Sequence, residues 1–284
     1  MKYAVNLPNG GETGHPRKLA EFARLAEAAG WDGVFVEDYI IWQGHNEVPT
    51  YDPWVALSAM AVATKSVRLG TMVTPIARRR PWKLARETVT LDHLSEGRLI
   101  LGVGLGDTEL DTSFTGFGES TDSKERAVMV DEALELLDRL WSGEEITHAG
   151  RFYNIHAARM LPRPLQMPRI PIWIGGVWPL KGPTHRALRW DGACLYKRSP
   201  DDDFTPKDVA DLAALAEARP NAGMPFDIVI GHATWQRAKD PEQERAYIAS
   251  LAEAGATWWS QYISPEKETD MRKYIEEGPL RIGY

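Results

Sequence analysis

Ala29-Gly30-Trp31-Asp32-Gly33 leads straight into the apolar run Val34-Phe35-Val36, and the phrase returns as Arg189-Trp190-Asp191-Gly192 ahead of Ala193. Ala254-Gly255-Ala256-Thr257-Trp258 is a looser third copy. Each copy closes an amphipathic stretch and opens a short apolar one. A helix stop placed just before a buried strand is the helix-to-strand corner of a βα unit.

Outward from these corners the same alternation runs along the chain. Strands are expected at 2–7, 34–36, 67–73, 98–105, 170–175, 192–196, 226–231 and 257–262. Leu19, Phe22, Ala23 and Ala26 mark a helix over 17–29. Ala127, Val130, Leu134, Leu137 and Trp141 form the apolar stripe of another over 124–141, closed by Gly143. Eight such units in 284 residues predict an α/β fold, a (β/α)8 TIM barrel, in preference to an open doubly wound sheet. Residues 142–169, with Pro162, Pro164 and Pro168, break the rhythm and are expected to be an insertion between helix 4 and strand 5 that acts as a lid. No linker divides the chain, so 1–284 is expected to be a single domain.

Composition removes several function classes. Lys plus Arg is 33 and Asp plus Glu 40, a net charge of −7, which argues against a general nucleic-acid binder. Cys194 is the single cysteine, so neither an internal disulfide nor a Cys-cluster metal site can form. The seven histidines show no HxH or HExxH spacing, so no dedicated metal site is expected. The first apolar stretch is too short for a signal segment, and no window of about 18 apolar residues occurs. A cytoplasmic protein away from the membrane is the expectation. Trp is abundant, at 11. Trp42, Trp54, Trp178 and Trp235 map to loops at the barrel mouth, and Trp258 and Trp259 should face opposite sides of the last strand.

In a barrel, chemistry lies at the C-terminal ends of the strands. That rule selects Asn6, then Glu37-Asp38-Tyr39, Thr71 and Thr74, and Gly104, Gly106, Asp107 and Glu109. Farther on it selects Gly175 and Gly176, followed by Val177 and Trp178, then Lys197, His232 and Gln261. Gly102-Val103-Gly104-Leu105-Gly106 is not a dinucleotide fingerprint, because Asp107 stands where the third glycine is needed. Small residues there let a flat cofactor lie close. Gly175-Gly176 precedes a helix expected near 182–190 and offers backbone N–H groups to an anion. Arg78-Arg79-Arg80-Pro81-Trp82-Lys83 puts four cations at a helix start, where they suit either solvent or an anionic partner. Glu37 and Asp38 together suggest a proton relay.

Several phrases resemble the bacterial luciferase-like monooxygenase family. The strongest is 84–107, above all Thr90-Leu91-Asp92 and Leu94-Ser95 with Gly97-Arg98. Leu69 to Thr74, Pro168 to Gly176, and Trp190-Asp191-Gly192-Ala193 also match, over about residues 1–200. The resemblance implies a barrel binding FMN or the deazaflavin coenzyme F420 at its mouth. The ring would lie near Thr71, Thr74 and Gly104, close to a non-proline cis peptide, with Asn6, Gly106 and Trp178 alongside and the phosphate on Gly175, Gly176 and Val177. This chain departs from the pattern at Tyr39, where many relatives carry a catalytic His. The candidate proton-transfer groups are then Asp38, Tyr39, Asp107 and Glu109.

The reading placed first is a monooxygenase using reduced FMN and O2 on a small organic molecule, with a separate flavin reductase as partner. The alternative is an F420-dependent dehydrogenase or reductase whose anionic cofactor tail meets the Arg78 to Lys83 run. A flavin-binding protein without turnover is a third reading, and a Schiff-base lyase using Lys197 a fourth. The resemblance further implies a homodimer through helices two and three.

Overall fold

Phe35, Trp173 and Trp258 meet inside a closed ring of eight parallel strands, with ring centroids 5.1 to 6.2 Å apart. The computed structural model describes residues 1–199, 202–231, 240–264 and 267–283. The barrel strands are β1 (Lys2–Leu7), β2 (Gly33–Val36), β3 (Arg68–Pro75), β4 (Leu99–Gly104), β7 (Ile172–Val177), β8 (Gly192–Tyr196), β9 (Asp227–Ile230) and β10 (Trp258–Tyr262). They close in the order β1-β10-β9-β8-β7-β4-β3-β2. The expected strands and the TIM barrel are therefore present. His232 and Trp235 lie outside the described residues.

Period-two alternation sorts each strand into an inner and an outer face. Ala4, Phe35, Ile100, Trp173, Val229 and Trp258 fill the interior, with Met72 and Cys194 packed on them. Val5, Val34, Leu69 and Trp259 face the helices. The jacket comprises α1 (Pro16–Ala28), α2 (Pro53–Ala63), α3 (Pro81–Leu94), the single turn α4 (Ser113–Gly116), α5 (Ser123–Trp141), α6 (Lys181–Ala187), α7 (Pro206–Glu217), α8 (Pro241–Glu253) and α9 (Glu268–Glu276). Several helices open on a side-chain cap: Asp52 accepts the Val55 N–H at 2.9 Å and Asp122 the Glu125 N–H at 2.7 Å.

The repeated Trp-Asp-Gly phrase has a structural cause. Asp32 donates its N–H to the Tyr3 carbonyl and accepts the Tyr3 N–H on its carboxylate, both at 2.8 Å. Asp191 makes the same pair with Ile172, at 3.0 and 2.9 Å. In each case the aspartate ties the start of its own strand to the start of the strand beside it. Gly30 (φ +85) and Gly255 (φ +115) make the preceding turn in the left-handed region, where a side chain would be strained.

The insertion between α5 and β7 is an antiparallel hairpin, β5 (Glu145–Ala149) and β6 (Asn154–Arg159). Its tip, Tyr153, meets Trp82 edge-on in the first turn of α3, next to the β3 exit. A segment that follows a helix and precedes a strand starts at the end of the barrel opposite the mouth, and this one then packs on the outer wall. Glu132 of α5 accepts the N–H groups of Phe152 and Tyr153 at 3.1 and 2.9 Å. Residues 160–169 continue beneath α3, where Asp92 accepts the Leu165 N–H at 2.7 Å. Among the described residues, none of the hydrogen bonds of 142–169 reaches the C-terminal end of a barrel strand. Among the described residues no helix is long and apolar enough to cross a membrane.

Candidate active site at the strand exits

Large aromatics plug the lower barrel, and small residues line the same inner face toward the strand ends. Gly102 and Gly104 of β4 and Gly175 of β7 share that face. A side chain on Gly102 would reach 2.1 Å from the Thr71 carbonyl oxygen, and one on Gly104 would reach 2.7 Å from the Val73 side chain. The β3–β4 register slips between Thr71 and Thr74, and the Met72–Val73 peptide there is cis. Val73 therefore lies over the glycines as an apolar floor. This is the position at which the family resemblance anticipated a non-proline cis bond.

Strand parity then decides which predicted residues face the mouth. Phe35 points inward, so Glu37 does too, and Asp38 points into the wall. Glu37 is buried; its Oε2 accepts the Trp42 indole N–H at 2.9 Å and the Tyr262 hydroxyl at 3.4 Å. Burial pushes its carboxyl up to about 7, against the opposing pull of the Trp42 and Tyr262 donors. Glu37 was legible only as half of a relay with Asp38, and it is the group of the two that faces the cavity.

Asp38 is locked in the wall. It accepts from Arg79 Nη2 at 2.7 and 2.8 Å and from Thr74 Oγ1 at 2.8 Å, and Arg78 spans Asp38 and Asp111. With its lone pairs taken by two guanidinium groups, Asp38 holds the β2 and β3 exits together instead of transferring protons. The same pairs engage Arg78 and Arg79, which leaves Arg80 as the exposed arginine of the run. Lys83 pairs with Glu87 along α3.

Thr71 and Thr74 are fully buried beside Asp38. Thr71 donates to the Gly102 carbonyl at 3.0 Å, and the two hydroxyl oxygens stand 3.0 Å apart. They brace the wall behind Val73 and present no free hydroxyl to a ring. Gly106 (φ +83) turns the chain against Phe114. Asp107 is exposed and accepts the Glu109 and Leu110 N–H groups of its own turn at 2.9 and 3.1 Å. Glu109 is exposed at the rim. Tyr39 sits near Glu37, and burial together with the charges of Glu37, Asp107 and Asp111 raises its phenol above the ordinary range, so it holds its proton.

At β7, Gly175 faces Val73, and Gly176 packs on Pro183 of α6. Val177 ends the strand, half-buried. Trp178 turns away: it is buried, and its indole donates to Asp208 of α7 at 3.0 Å. It anchors α7 and does not line the mouth. Trp54 is buried in the first turn of α2. Trp42 touches the titratable group on the inner face of the mouth, Glu37. Lys197 pairs with Asp208 at 2.9 Å and Asp202 at 3.3 Å, and the hydrogen bond it donates to Asp208 leads in raising its pKa. A Schiff-base lysine needs the opposite shift. Burial raises the Cys194 thiol to about 12, so it too is unreactive.

Among the described residues several buried polar atoms on this side lack a partner, Arg78 Nε and Arg79 Nε among them, and two more bear on a ligand. Asn6 Oδ1, at the end of β1 next to the Tyr262 position, accepts no hydrogen bond. Arg126, in the first turn of α5, is buried, stacks on Phe114 at 5.1 Å and donates one long bond to the Ser120 carbonyl at 3.5 Å. Its Nε has no partner. An under-paired cation at a helix N-terminus is costly, and an incoming anion would relieve it. A flat, largely apolar ring over Val73 with a donor edge toward Asn6 and a phosphate toward Arg126 fits these residues. Arg126 was missed in the sequence because its stripe position on α5 looks like any exposed helix start.

Comparison with known proteins bears on this site. The family model described as luciferase-like monooxygenase matches residues 1–282. The chain is 38% identical over 267 residues to an F420-dependent glucose-6-phosphate dehydrogenase of Beutenbergia cavernae, covering 92% of this chain and 74% of that protein. It is 35% identical over 167 residues to one of the same name from Microbacterium testaceum, covering 58% of this chain and 48% of that relative, about half its length. An F420-dependent secondary alcohol dehydrogenase solved with an F420-acetone adduct has the same fold, with a TM-score of 0.78 over 98% of both chains at 21% identity.

Proposed function

As the chain belongs to the luciferase-like monooxygenase family, we propose that it is an F420-dependent oxidoreductase moving hydride to or from a small alcohol or carbonyl compound. The observation that carries this is Glu37, a carboxyl buried on the inner face at the mouth and held by Trp42 and Tyr262, with its pKa pushed up to about 7 by burial. Oxidising an alcohol releases a hydride from carbon and a proton from oxygen. The deazaflavin supplies the hydride chemistry when bound. Glu37 takes the proton in its ionised form and returns it in the reverse direction. Trp42 and Tyr262 hold its carboxylate in place and temper its pKa. Val73, Gly104 and Gly175 support the ring, Asn6 and Gly176 border it, and Arg126 with the 175–177 strand end receives phosphate.

The reduced-FMN monooxygenase, expected first from the sequence, now ranks second, because the two sequence relatives described above carry F420 in their names. The assignment of the Arg78 to Lys83 run to the F420 tail narrows to Arg80, which is exposed, because Arg78 and Arg79 are held by Asp38 and Asp111. A flavin reductase partner belongs to the FMN reading only. A homodimer through α2 and α3 is carried as a proposal that sedimentation would test. The cofactor is decided by titrating purified protein with oxidised F420 and with FMN and following fluorescence. Tight F420 binding with weak FMN binding supports the proposal; the reverse order, with oxygen consumed once FMN is reduced, overturns it.

A further inference from the structure

Trp42 reaches Glu37 from a loop that packing alone does not hold. Residues 40–50 form the β2 exit, and none of them is buried. A surface loop without a core of its own is placed by its hydrogen bonds. Within it Trp42 donates its N–H to Thr50 Oγ1 at 3.1 Å, and His45 donates its N–H to the Trp42 carbonyl at 2.9 Å. Gln43 (φ +46) and Gly44 (φ +75) lie in the left-handed region, so the turn that carries the indole is tightly bent.

One side chain grips both ends of this loop. Asn9, just beyond β1, is fully buried. Its Nδ2 donates one proton to the Tyr39 carbonyl at 2.8 Å and the other to the Tyr51 carbonyl at 2.9 Å. Its Oδ1 accepts the Tyr39 N–H at 3.4 Å, and its backbone carbonyl accepts the Tyr51 N–H at 3.0 Å. The two carbonyl acceptors fix the orientation of the amide, since only its nitrogen end can donate. Gly10 bridges Thr50, and Gly11 donates its N–H to the Pro49 carbonyl at 2.9 Å. The Trp42 ring lies directly on Gly10, where a side chain would stand 2.2 Å from the indole. Residues 9–11 are therefore both the clamp on the loop and the bed under the indole.

Resting on the Glu37 reading above, we propose that Asn9 is a positioning residue for the reaction: by closing the loop between Tyr39 and Tyr51 it sets the Trp42 indole on the Glu37 carboxyl. Asn9 acts through Trp42 and not on the carboxyl itself. The other groups that face Glu37 are the Tyr262 hydroxyl from β10, at 3.4 Å, and Tyr39, on which Asp107, Asp111 and Arg78 act. Asn9→Ala adds and removes no charge among these. Its effect on Glu37 should therefore vanish once the indole donor is already gone.

The test uses cofactor-free protein. Indole N–H signals are read by nitrogen-15 NMR, that of Trp42 being the one lost in Trp42→Phe. The Glu37 midpoint is read from its carbon-13 carboxyl signal, the one lost in Glu37→Gln. In the parent the Trp42 signal should move with the Glu37 midpoint, near 7. In Asn9→Ala the Trp42 indole proton should exchange with water at least about tenfold faster. The Glu37 midpoint should rise as far as it does in Trp42→Phe, and adding Asn9→Ala to Trp42→Phe should move it no further. A folded Asn9→Ala protein with the parent's midpoint, or two shifts that simply add, overturns the proposal. If Asn9→Ala does not fold, exchange in the parent decides: the Asn9 Nδ2 protons and the Trp42 indole proton should exchange at matching rates, through one opening. Asn9 Nδ2 protons that exchange faster than the indole overturn the proposal. None of these readings needs cofactor or substrate. Turnover indifferent to Glu37→Gln would defeat the Glu37 reading and leave the link from Asn9 to Trp42 to be decided by NMR.

Discussion

The Trp42 indole donates its N–H to Glu37 Oε2 at 2.9 Å, and this bond restrains a carboxyl that burial has pushed up to about 7. Trp42→Phe removes a donor to the ionised form, so the Glu37 pKa rises further. The expected outcome is a pH–rate profile for alcohol oxidation displaced to higher pH, with the plateau rate little changed. An unmoved profile would show that Glu37 is not the group being read.

Glu37 also ties stability to pH. Its folded pKa lies above the ordinary value of 4.5, so the folded chain holds the proton more tightly than the unfolded chain. The associated stability is complete below about 4.5 and is lost as pH rises through about 7, a change of roughly 3 kcal/mol. Glu37→Gln should therefore melt higher than the parent at pH 8 and alike at pH 4.5. Thermal unfolding at the two values checks it.

Asp38 offers a contrasting substitution. Asp38→Asn strips a counter-charge from Arg78 and Arg79 and should cost about 3 to 5 kcal/mol in urea unfolding. Arg79→Glu should impair binding of F420 and FMN alike, because it disturbs the wall and not a cofactor tail. A loss confined to F420 would return the cationic run to the binding site.

The floor of the site is tested at Gly104. A side chain there meets Val73 at 2.7 Å, and a valine side chain can shift. Gly104→Ala should lower cofactor affinity about tenfold with a small loss of stability, as Val73 is pushed into the ring's space. Gly102→Ala meets the Thr71 carbonyl at 2.1 Å instead and should destabilise the barrel outright. Denaturation and cofactor titration on both variants separate the two effects.

Burial would raise the Glu132 carboxyl, but bonds from His148 and from the Tyr153 and Phe152 N–H groups outweigh it and hold the pKa below its ordinary value. The latch on the hairpin is thus present above about 4.5 and lost as pH falls through the lowered folded value. Amide exchange at 150–155 should speed up in acid, and in Glu132→Gln at neutral pH, while F420 affinity stays the same. A matching loss of affinity would give the hairpin a role at the mouth.

Most of the barrel was legible because period-two runs and helix stops are local properties. The strand expected at 192–196 is β8 residue for residue, and Trp258 and Trp259 divide between interior and jacket as alternation requires. The site was legible in its location and less so in its residues. Parity from Phe35 could have chosen Glu37 over Asp38. No local pattern foretold that Asp38 would meet Arg78 and Arg79, 40 and 41 residues away, or that Trp178 would turn outward to Asp208. Those contacts depend on how exit loops fold over one another.

The most direct measurement is the rate of F420 reduction by 1-phenylethanol in a single anaerobic turnover, followed from pH 5 to 9 in the parent and in Glu37→Gln. The account predicts a rate that rises with pH through a midpoint near 7 in the parent, and in the variant a rate at least about a hundredfold lower without that midpoint. The same pH dependence in both proteins, or reduction that does not depend on Glu37, would contradict it.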